Sequence, residues 1–381
     1  MPICRFEDAV QDQALELRGF IRKITVSVFD DLPAALADIQ RAQRAGYWIG
    51  LKLSYALGEW LDPAWLKDRR TAASGGAPRL IALVFEDAVR ESTWQPRADD
   101  APARIVSARP RIRFAEYARH ILAIKQQIEN GDVYQVNFTL PVDVEMEGDP
   151  ASLYRQLIHR HPVSHAAYID DGESYTLSIS PELFVAHADG MLTSRPMKGT
   201  APRHADPEQD KRAADALLAS DKDRAENAMI VDLLRNDLGK IARTGSVSVP
   251  RLFDLERYPS IWTLTSTIQA EVGDTTTLLE ILRALFPCGS VVGAPKLAAM
   301  RCIREREVDD RGLYCGSLGW LAPNGDFSLN VAIRTLVLGR DGSGVYGVGG
   351  GIVFDSEPDL EWRECQWKSR VLGEIHDDAW T

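Results

Sequence analysis

Three kinds of residue in this chain stand where they could do covalent or ionic chemistry: a lysine flanked by chain breakers, a carboxylate just after a proline, and two carboxylate pairs at helical spacing. The lysine is Lys198, in the run TSRPMKGTAPR from Thr193 to Arg203. Its strand-like lead-in ends at Pro196. Beyond it, Pro lacks a backbone donor and Gly loosens the chain, so Lys198 reads as a loop residue. A primary amine becomes a nucleophile when desolvation or nearby positive charge lowers its proton affinity from roughly 10.4. Otherwise it is one more solvated lysine. Glu182, after Pro181, has the type of a general acid, against the plainer reading of a solvated turn carboxylate.

The acidic pairs are Asp223 with Glu226, and Glu361 with Glu364, each three residues apart, with Lys368 four residues past the second. That spacing puts both members of a pair on one helix face. Two such helices together would suit a hard cation such as Mg²⁺, which prefers oxygen ligands. Either pair alone reads as a solvated face. Gly349, Gly350 and Gly351 are consecutive, and their backbone N–H groups can approach a carboxylate closely. They lack GxGxxG spacing and lead into an apparent strand, which disfavours a dinucleotide site. His159, His161 and His165 straddle a helix end and a proline without HExxH spacing, so they read as ordinary histidines rather than ligands.

The elements that must position these residues follow from periodicity. LRGFIRKITVSVFD reads as a strand, DLPAALADIQRAQRAG as a helix from near Asp31 to Gly46, and YWIGLKLSYAL and Leu80 to Phe85 as strands. Lys67 to Arg79 and the stretch from Gln95 toward Arg111 read as loops. Phe114 to Asn130 is helical, stopped by Gly131. DVYQVNFTLPVDVEM alternates as a strand, with Val133, Gln135, Asn137 and Thr139 on one face; exposure is the reading favoured for that polar face over the lining of a pocket. SLYRQLIHRHP is helical, Ser174 to Ser180 a strand, and Asp210 to Ala242 a long helix broken near Ser220 to Asp223. In FPCGSVVGAPKLAAMRCI a Gly-punctuated loop enters a helix near Pro295, and such an N-terminus suits an anion.

The 381 residues, 45% hydrophobic and 26% charged, are those of a globular chain with one large core or two modest ones. A net charge of −11 argues against general nucleic-acid binding. Five scattered cysteines without CxxC spacing fit neither a disulfide framework nor a zinc site, and suit a reducing cytoplasm. Neither a leader pattern nor an apolar run of spanning length is seen, so a soluble cytoplasmic protein is expected.

Read together, GDVYQVNFT, SISPELF, RPMKGTAPR, ENAMIVDLLRNDL, FPCGSVVGAPK, VAIRTL and GVGGGIVFDSEPDLEWRE resemble, in order, the motifs of the chorismate-utilising enzymes. That family includes anthranilate synthase component I, aminodeoxychorismate synthase component I, isochorismate synthase and salicylate synthase. The resemblance covers about 111–370, and divides the chain into an N-terminal region, 1–110, and a chorismate-binding region, 111–381. It implies an α+β fold of two interleaved subdomains, with largely antiparallel sheets face to face and helices outside, as a four-layer sandwich.

Two positions separate the members. The water-using synthases carry lysine where this chain has Gln135, and anthranilate synthase carries alanine where it has Lys198, so the resemblance points to the aminodeoxychorismate synthase branch. It implies amination of chorismate at C4, toward 4-aminobenzoate and folate, with Lys198 as covalent nucleophile and Glu182 as acid. It further implies Mg²⁺ on Glu226 and Glu364, with Asp223 and Glu361 acting directly or through water. Substrate contacts are implied for Gln135, Thr200, Ser290, Trp320, Arg334, Lys368 and the Gly349 to Gly351 backbone. Thr263 stands where many relatives have histidine, and Trp320 where tyrosine is common. No glutaminase pattern is present, so ammonia would come from solution or from a separate glutamine amidotransferase. Anthranilate synthase component I, and an inactive homologue that partners an amidotransferase, remain as alternatives.

Overall fold

The computed structural model describes residues 1–62, 76–258, 261–373 and 380. The first part of the chain supplies β1 (Ile3–Asp8), β2 (Gln13–Val26), α1 (Leu32–Arg44), β3 (Trp48–Leu53), α2 (Leu57–Leu61), β4 (Leu80–Glu91) and β5 (Ala103–Pro110). The middle supplies α3 (Phe114–Glu129), β6 (Gln135–Gly148), α4 (Pro150–Arg160), β7 (His165–Asp170), β8 (Ser174–Ser180), β9 (Leu183–Ala188), β10 (Met191–Arg195) and β11 (Met197–Pro202). Then come α5 (Pro207–Ala219), α6 (Asp221–Gly239), β12 (Ser248–Arg257), β13 (Ile261–Glu271), α7 (Leu278–Leu285), β14 (Gly293–Ala294) and α8 (Lys296–Arg306). The chain closes with β15 (Ser317–Leu321), β16 (Phe327–Val331), β17 (Thr335–Gly339), β18 (Ser343–Ile352) and α9 (Pro358–Ser369).

Proline and serine mark two of the helix starts. In α1, Pro33 occupies the first turn, and Leu32, Ala35, Leu36, Ile39 and Ala42 form the buried stripe. Between α5 and α6 the break falls at Ser220, whose extended backbone ends one helix while its Oγ accepts the Asp223 N–H at the start of the next. The loop expected over Lys67–Arg79 lies largely outside the described residues. The one expected from Gln95 toward Arg111 is only partly a loop: Ala103–Pro110 becomes β5 because β6 offers it a ladder, with Ala103 opposite Gly148 and Pro110 opposite Val142.

Every strand pairing among the described residues is antiparallel. The ladder runs β5, β6, β18, β17, β8, β7, β1, β2, β4, β3, β15, β16, β9, β10, β13, β12. β11 continues the line of β10 along β13, and β14 adds to β6. The fold is therefore α+β with one large antiparallel sheet and flanking helices, as expected. The first 110 residues are woven into it, since β1 lies beside β7 and β3 beside β15.

Alternation decides which side chains form which core. In β3 and β4, Ile49, Leu51, Leu80, Ala82 and Val84 join the main core, while Leu83 and Phe85 join a second cluster with Cys4, Phe6 and Leu17. β3 and the first half of β4 are thus buried on both faces. The two ends of the ladder, β6 with β18 and β11 with β13, come together at Lys198, since Gly351 of β18 lies against both Lys198 of β11 and Gln135 of β6.

Candidate active site

Lys198 is not on a loop. β11 pairs with β13, Lys198 opposite Leu264 and Thr200 opposite Thr263, with a shift of register between Lys198 and Thr200. Gly199 absorbs that shift at φ +82, a backbone conformation that side chains strain. The Gly and Pro that suggested a loop are the residues of a bulged strand. Two contacts hold the bulge: Thr263 Oγ1 donates to the Gly199 carbonyl at 2.9 Å, and Asp223 fills the space where a Gly199 Cβ would lie. Re-aiming a side chain is what a bulge does.

Across from Lys198 lies β6. Gln135 and Thr139 are buried, so the polar face of β6 does not meet solvent, contrary to expectation. Other segments meet this face: Glu307 accepts from Thr139 Oγ1 at 2.9 Å, and Lys198 shares with Gln135 the space above Gly351, which lies opposite Asn137 on β18. A Cβ on Gly351 would stand 2.6 Å from Gln135 Nε2 and 3.2 Å from Lys198 Nζ. Glycine is what lets these two side chains share the space. Gln135 Nε2 is buried and makes no hydrogen bond among the described residues.

Glu182 follows β8; the residue is 3% exposed and its carboxylate accepts from Ser290 Oγ at 2.7 Å. Burial pushes its carboxyl up to about 7, against the hydrogen bond from Ser290, the charge of Lys198 and the Met197 N–H. A carboxyl in that range can give a proton near neutral pH. Ser290 lies in the 289–291 turn, with Cys288 Sγ at 3.2 Å from its Oγ. Burial holds the Cys288 thiol at about 12, so it is a neutral neighbour.

α9 presents Glu361, Glu364 and Lys368 on one face, while Trp362 and Cys365 are buried on the other. Lys368 Nζ bonds Glu364 at 2.7 Å and the Gly349 carbonyl at 2.6 Å. Burial would raise Glu364, yet Lys368, Lys198 and Lys222 together bring it below its ordinary range. Glu361, bonded by Ser356 Oγ at 2.7 Å, is raised by burial and by Glu364 beside it. A Cβ on Gly350 would meet Glu361 Oε2 at 2.9 Å, as one on Gly199 would meet Asp223 Oδ1 at 2.9 Å. Both glycines clear cradles for carboxylates. Glu226 is half-buried on α6, one turn beyond Asp223.

These donors are all carboxylate oxygens, which fits the chemistry of a hard cation. As the side chains stand, no three of the His, Cys, Asp and Glu side chains among the described residues are grouped to hold one. Any ion held on Glu364 would have to displace Lys368 from its 2.7 Å bond.

Arg334 adopts φ +49 and is partly buried, and among the described residues its guanidinium has neither a hydrogen bond nor an ion pair. Burial lowers its proton affinity, with Tyr346 and Tyr258 facing it. An unpaired guanidinium in a strained backbone is a ready carboxylate receptor. Two expected contacts fall outside this group. Thr200 is exposed beyond the bulge. Trp320 packs its ring against Trp48, centroids 5.9 Å apart, in the second cluster. Lys222, exposed in the first turn of α6 and facing Glu361 and Glu364, was not anticipated; no motif marks it.

A family model described as chorismate binding enzyme matches residues 64–374. The chain belongs to that family. Among curated relatives, this chorismate binding enzyme is 38% identical over 300 residues to aminodeoxychorismate synthase component 1 of Salmonella typhimurium, covering 77% of this chain and 66% of the relative. It is 43% identical over 261 residues to the Klebsiella aerogenes protein of the same name, 68% and 58% of the two chains. It is 38% identical over 257 residues to anthranilate synthase component 1 of Aquifex aeolicus, 68% and 52% of the two chains. The match thus takes in between about half and two thirds of each of these relatives. Among solved structures, anthranilate synthase component I from Streptococcus pneumoniae superposes with a TM-score of 0.82 at 25% identity, over 95% of this chain and 92% of that one. Among the described residues, no helix is long and apolar enough to cross a membrane.

Proposed function

We propose that this chorismate binding enzyme is an aminodeoxychorismate synthase component I, which converts chorismate and ammonia to 4-amino-4-deoxychorismate and water. The observation that carries the reading is a lysine amine beside a buried carboxyl that can give a proton near pH 7, with an amide, not a base, at Gln135. The relatives named aminodeoxychorismate synthase component 1 support it.

In this mechanism the neutral Lys198 amine forms a bond to C2 of the ring, the two ring double bonds shift, and the C4–oxygen bond breaks. Hydroxide is a poor leaving group, so Glu182 gives its proton and the oxygen departs as water. Ammonia then bonds to C4, the double bonds shift back, and the C2–nitrogen bond breaks to return Lys198. The proton shed by the new C4 amine restores Glu182, so the cycle balances. Splitting one hard substitution into two easier ones is the use of a covalent nucleophile.

Arg334, Lys368 and the N–H groups of Gly349 to Gly351 bind the substrate carboxylates. Glu226 and Glu364, with Asp223 and Glu361, would hold Mg²⁺, which supplies charge neutralisation at the ring carboxylate. Gln135 is too weak a base to activate water, so ammonia faces no activated competitor. A separate glutamine amidotransferase would be the ammonia source. All five cysteines are free and buried, which suits a reducing cytoplasm.

Likeness to anthranilate synthase component 1 keeps one second reading. Product analysis with chorismate, Mg²⁺ and ammonium decides: 4-amino-4-deoxychorismate supports the proposal, and anthranilate alone refutes it.

A further inference from the structure

Two walls of the site are tied together by a buried ion pair that no active-site motif includes. Glu307 closes the C-terminal end of α8, and Arg311 follows in the turn before β15. Their side chains are 2% (Arg311) and 6% (Glu307) exposed. Arg311 Nε donates to Glu307 Oε2 at 2.8 Å, and Nη2 donates to Glu307 Oε1 at 2.6 Å and to the Asn137 carbonyl at 2.6 Å. Nη1 donates to the Val291 carbonyl at 2.8 Å, and the guanidinium lies 4.3 Å from the Tyr55 ring centroid. Glu307 Oε1 also accepts from the Thr139 N–H at 2.8 Å and Thr139 Oγ1 at 2.9 Å.

The bonded positions are the ones that matter to the site. Asn137 and Thr139 follow Gln135 along β6 and are the ladder partners of Gly351 and Gly349. Val291 is the residue after Ser290, whose Oγ bonds Glu182. One planar fork therefore grips the strand that carries Gln135 and the turn that carries Ser290. A buried ion pair is a poor source of net stability, and apolar residues of equal volume often do as well. Apolar residues cannot bond two carbonyls, nor can a lysine ammonium match the fork.

We propose that Arg311, held by Glu307, is a positioning residue that locks the Ser290 turn onto β6 and so fixes the Ser290–Glu182 hydrogen bond, without touching the reacting atoms. This rests on Glu182 acting as the acid. Glu182 faces Lys198 from β11, Cys288 and Ser290 from the turn, and the Met197 N–H. Burial raises its proton affinity and the Ser290 bond opposes that rise. Loosening Ser290 therefore lets Glu182 keep its proton to higher pH.

The experiment is the pH profile of kcat for chorismate with saturating ammonium and Mg²⁺, alongside thermal unfolding, in Ser290→Ala, Arg311→Lys, Glu307→Gln and the Ser290→Ala/Arg311→Lys double variant. Ser290→Ala moves the alkaline limb up by about one pH unit, the effect of one hydrogen bond to a charged group. Arg311→Lys and Glu307→Gln move it the same way, and Arg311→Lys adds no shift once Ser290 is gone. Glu307→Gln serves alone if Arg311→Lys does not fold. A limb that moves in Ser290→Ala but stays in place in folded Arg311→Lys or Glu307→Gln protein would overturn the proposal. A limb unmoved even in Ser290→Ala would refute Glu182 as the acid, and the proposal with it.

Discussion

Three consecutive glycines offer a test in which one added methyl group meets three different obstacles. At Gly349 a Cβ would stand 2.4 Å from the Phe138 carbonyl oxygen and 2.8 Å from Thr139 Cα. Backbone cannot retreat without breaking the β6–β18 ladder, so Gly349→Ala costs about 1–3 kcal/mol or more of stability, as overpacking does. At Gly350 the nearest atom is Glu361 Oε2, at 2.9 Å. At Gly351 the nearest is Gln135 Nε2 at 2.6 Å, followed by Lys198 Nζ at 3.2 Å. Both are ends of flexible side chains, and retreat to ordinary contact moves Nε2 by about 0.8 Å; misplacement on the order of 1 Å costs roughly 10²-fold in rate. Thermal unfolding and steady-state turnover at several Mg²⁺ concentrations separate the three. Gly349→Ala lowers Tm most. Gly350→Ala raises the Mg²⁺ needed for half activity, and Gly351→Ala keeps its Tm while kcat falls about 10²-fold. Wild-type turnover by Gly351→Ala would refute the shared space argued for Gln135 and Lys198.

Thr263→Val, nearly isosteric, removes the donor to the Gly199 carbonyl, costs about 1 kcal/mol of stability and slows turnover; Thr263→Ser restores both, as unfolding and kinetics would show. Glu182 binds its proton more tightly folded, near 7, than at its ordinary 4.5, so its contribution to stability is complete below pH 4.5 and lost as pH rises through 7. Glu182→Gln accordingly abolishes turnover yet gains on wild type by about 3 kcal/mol at pH 8, and by progressively less toward pH 4.5, in denaturant titrations. Lys368→Met frees Glu364 from its 2.7 Å ion pair. Calorimetry then finds tighter Mg²⁺ binding, while the KM for chorismate rises.

Local pattern made much of this legible. The α6 and α9 pairs follow from spacing, the break at Ser220 from its capping chemistry, and α3 from apolar periodicity ended at Gly131. What local pattern could not supply was the partner. Lys198 is in a strand because Leu264 lies opposite it, and the face of Gln135 is buried because Lys198 and Glu307 arrive at it from distant segments. Trp320 sits in the second cluster because β3 places Trp48 beside it. Arg311 stands in a polar turn, and nothing near it in sequence announces the two carbonyls it bonds.

In the proposed mechanism everything turns on Lys198 bonding to the substrate. Intact-protein mass measured after wild type and Lys198→Ala are mixed with chorismate and Mg²⁺, without ammonia, tests it directly. The expected result is an adduct of chorismate less water on the wild type alone, discharged by ammonium as 4-amino-4-deoxychorismate. Turnover to that product by Lys198→Ala at the wild-type rate, with no adduct on either protein, would contradict it.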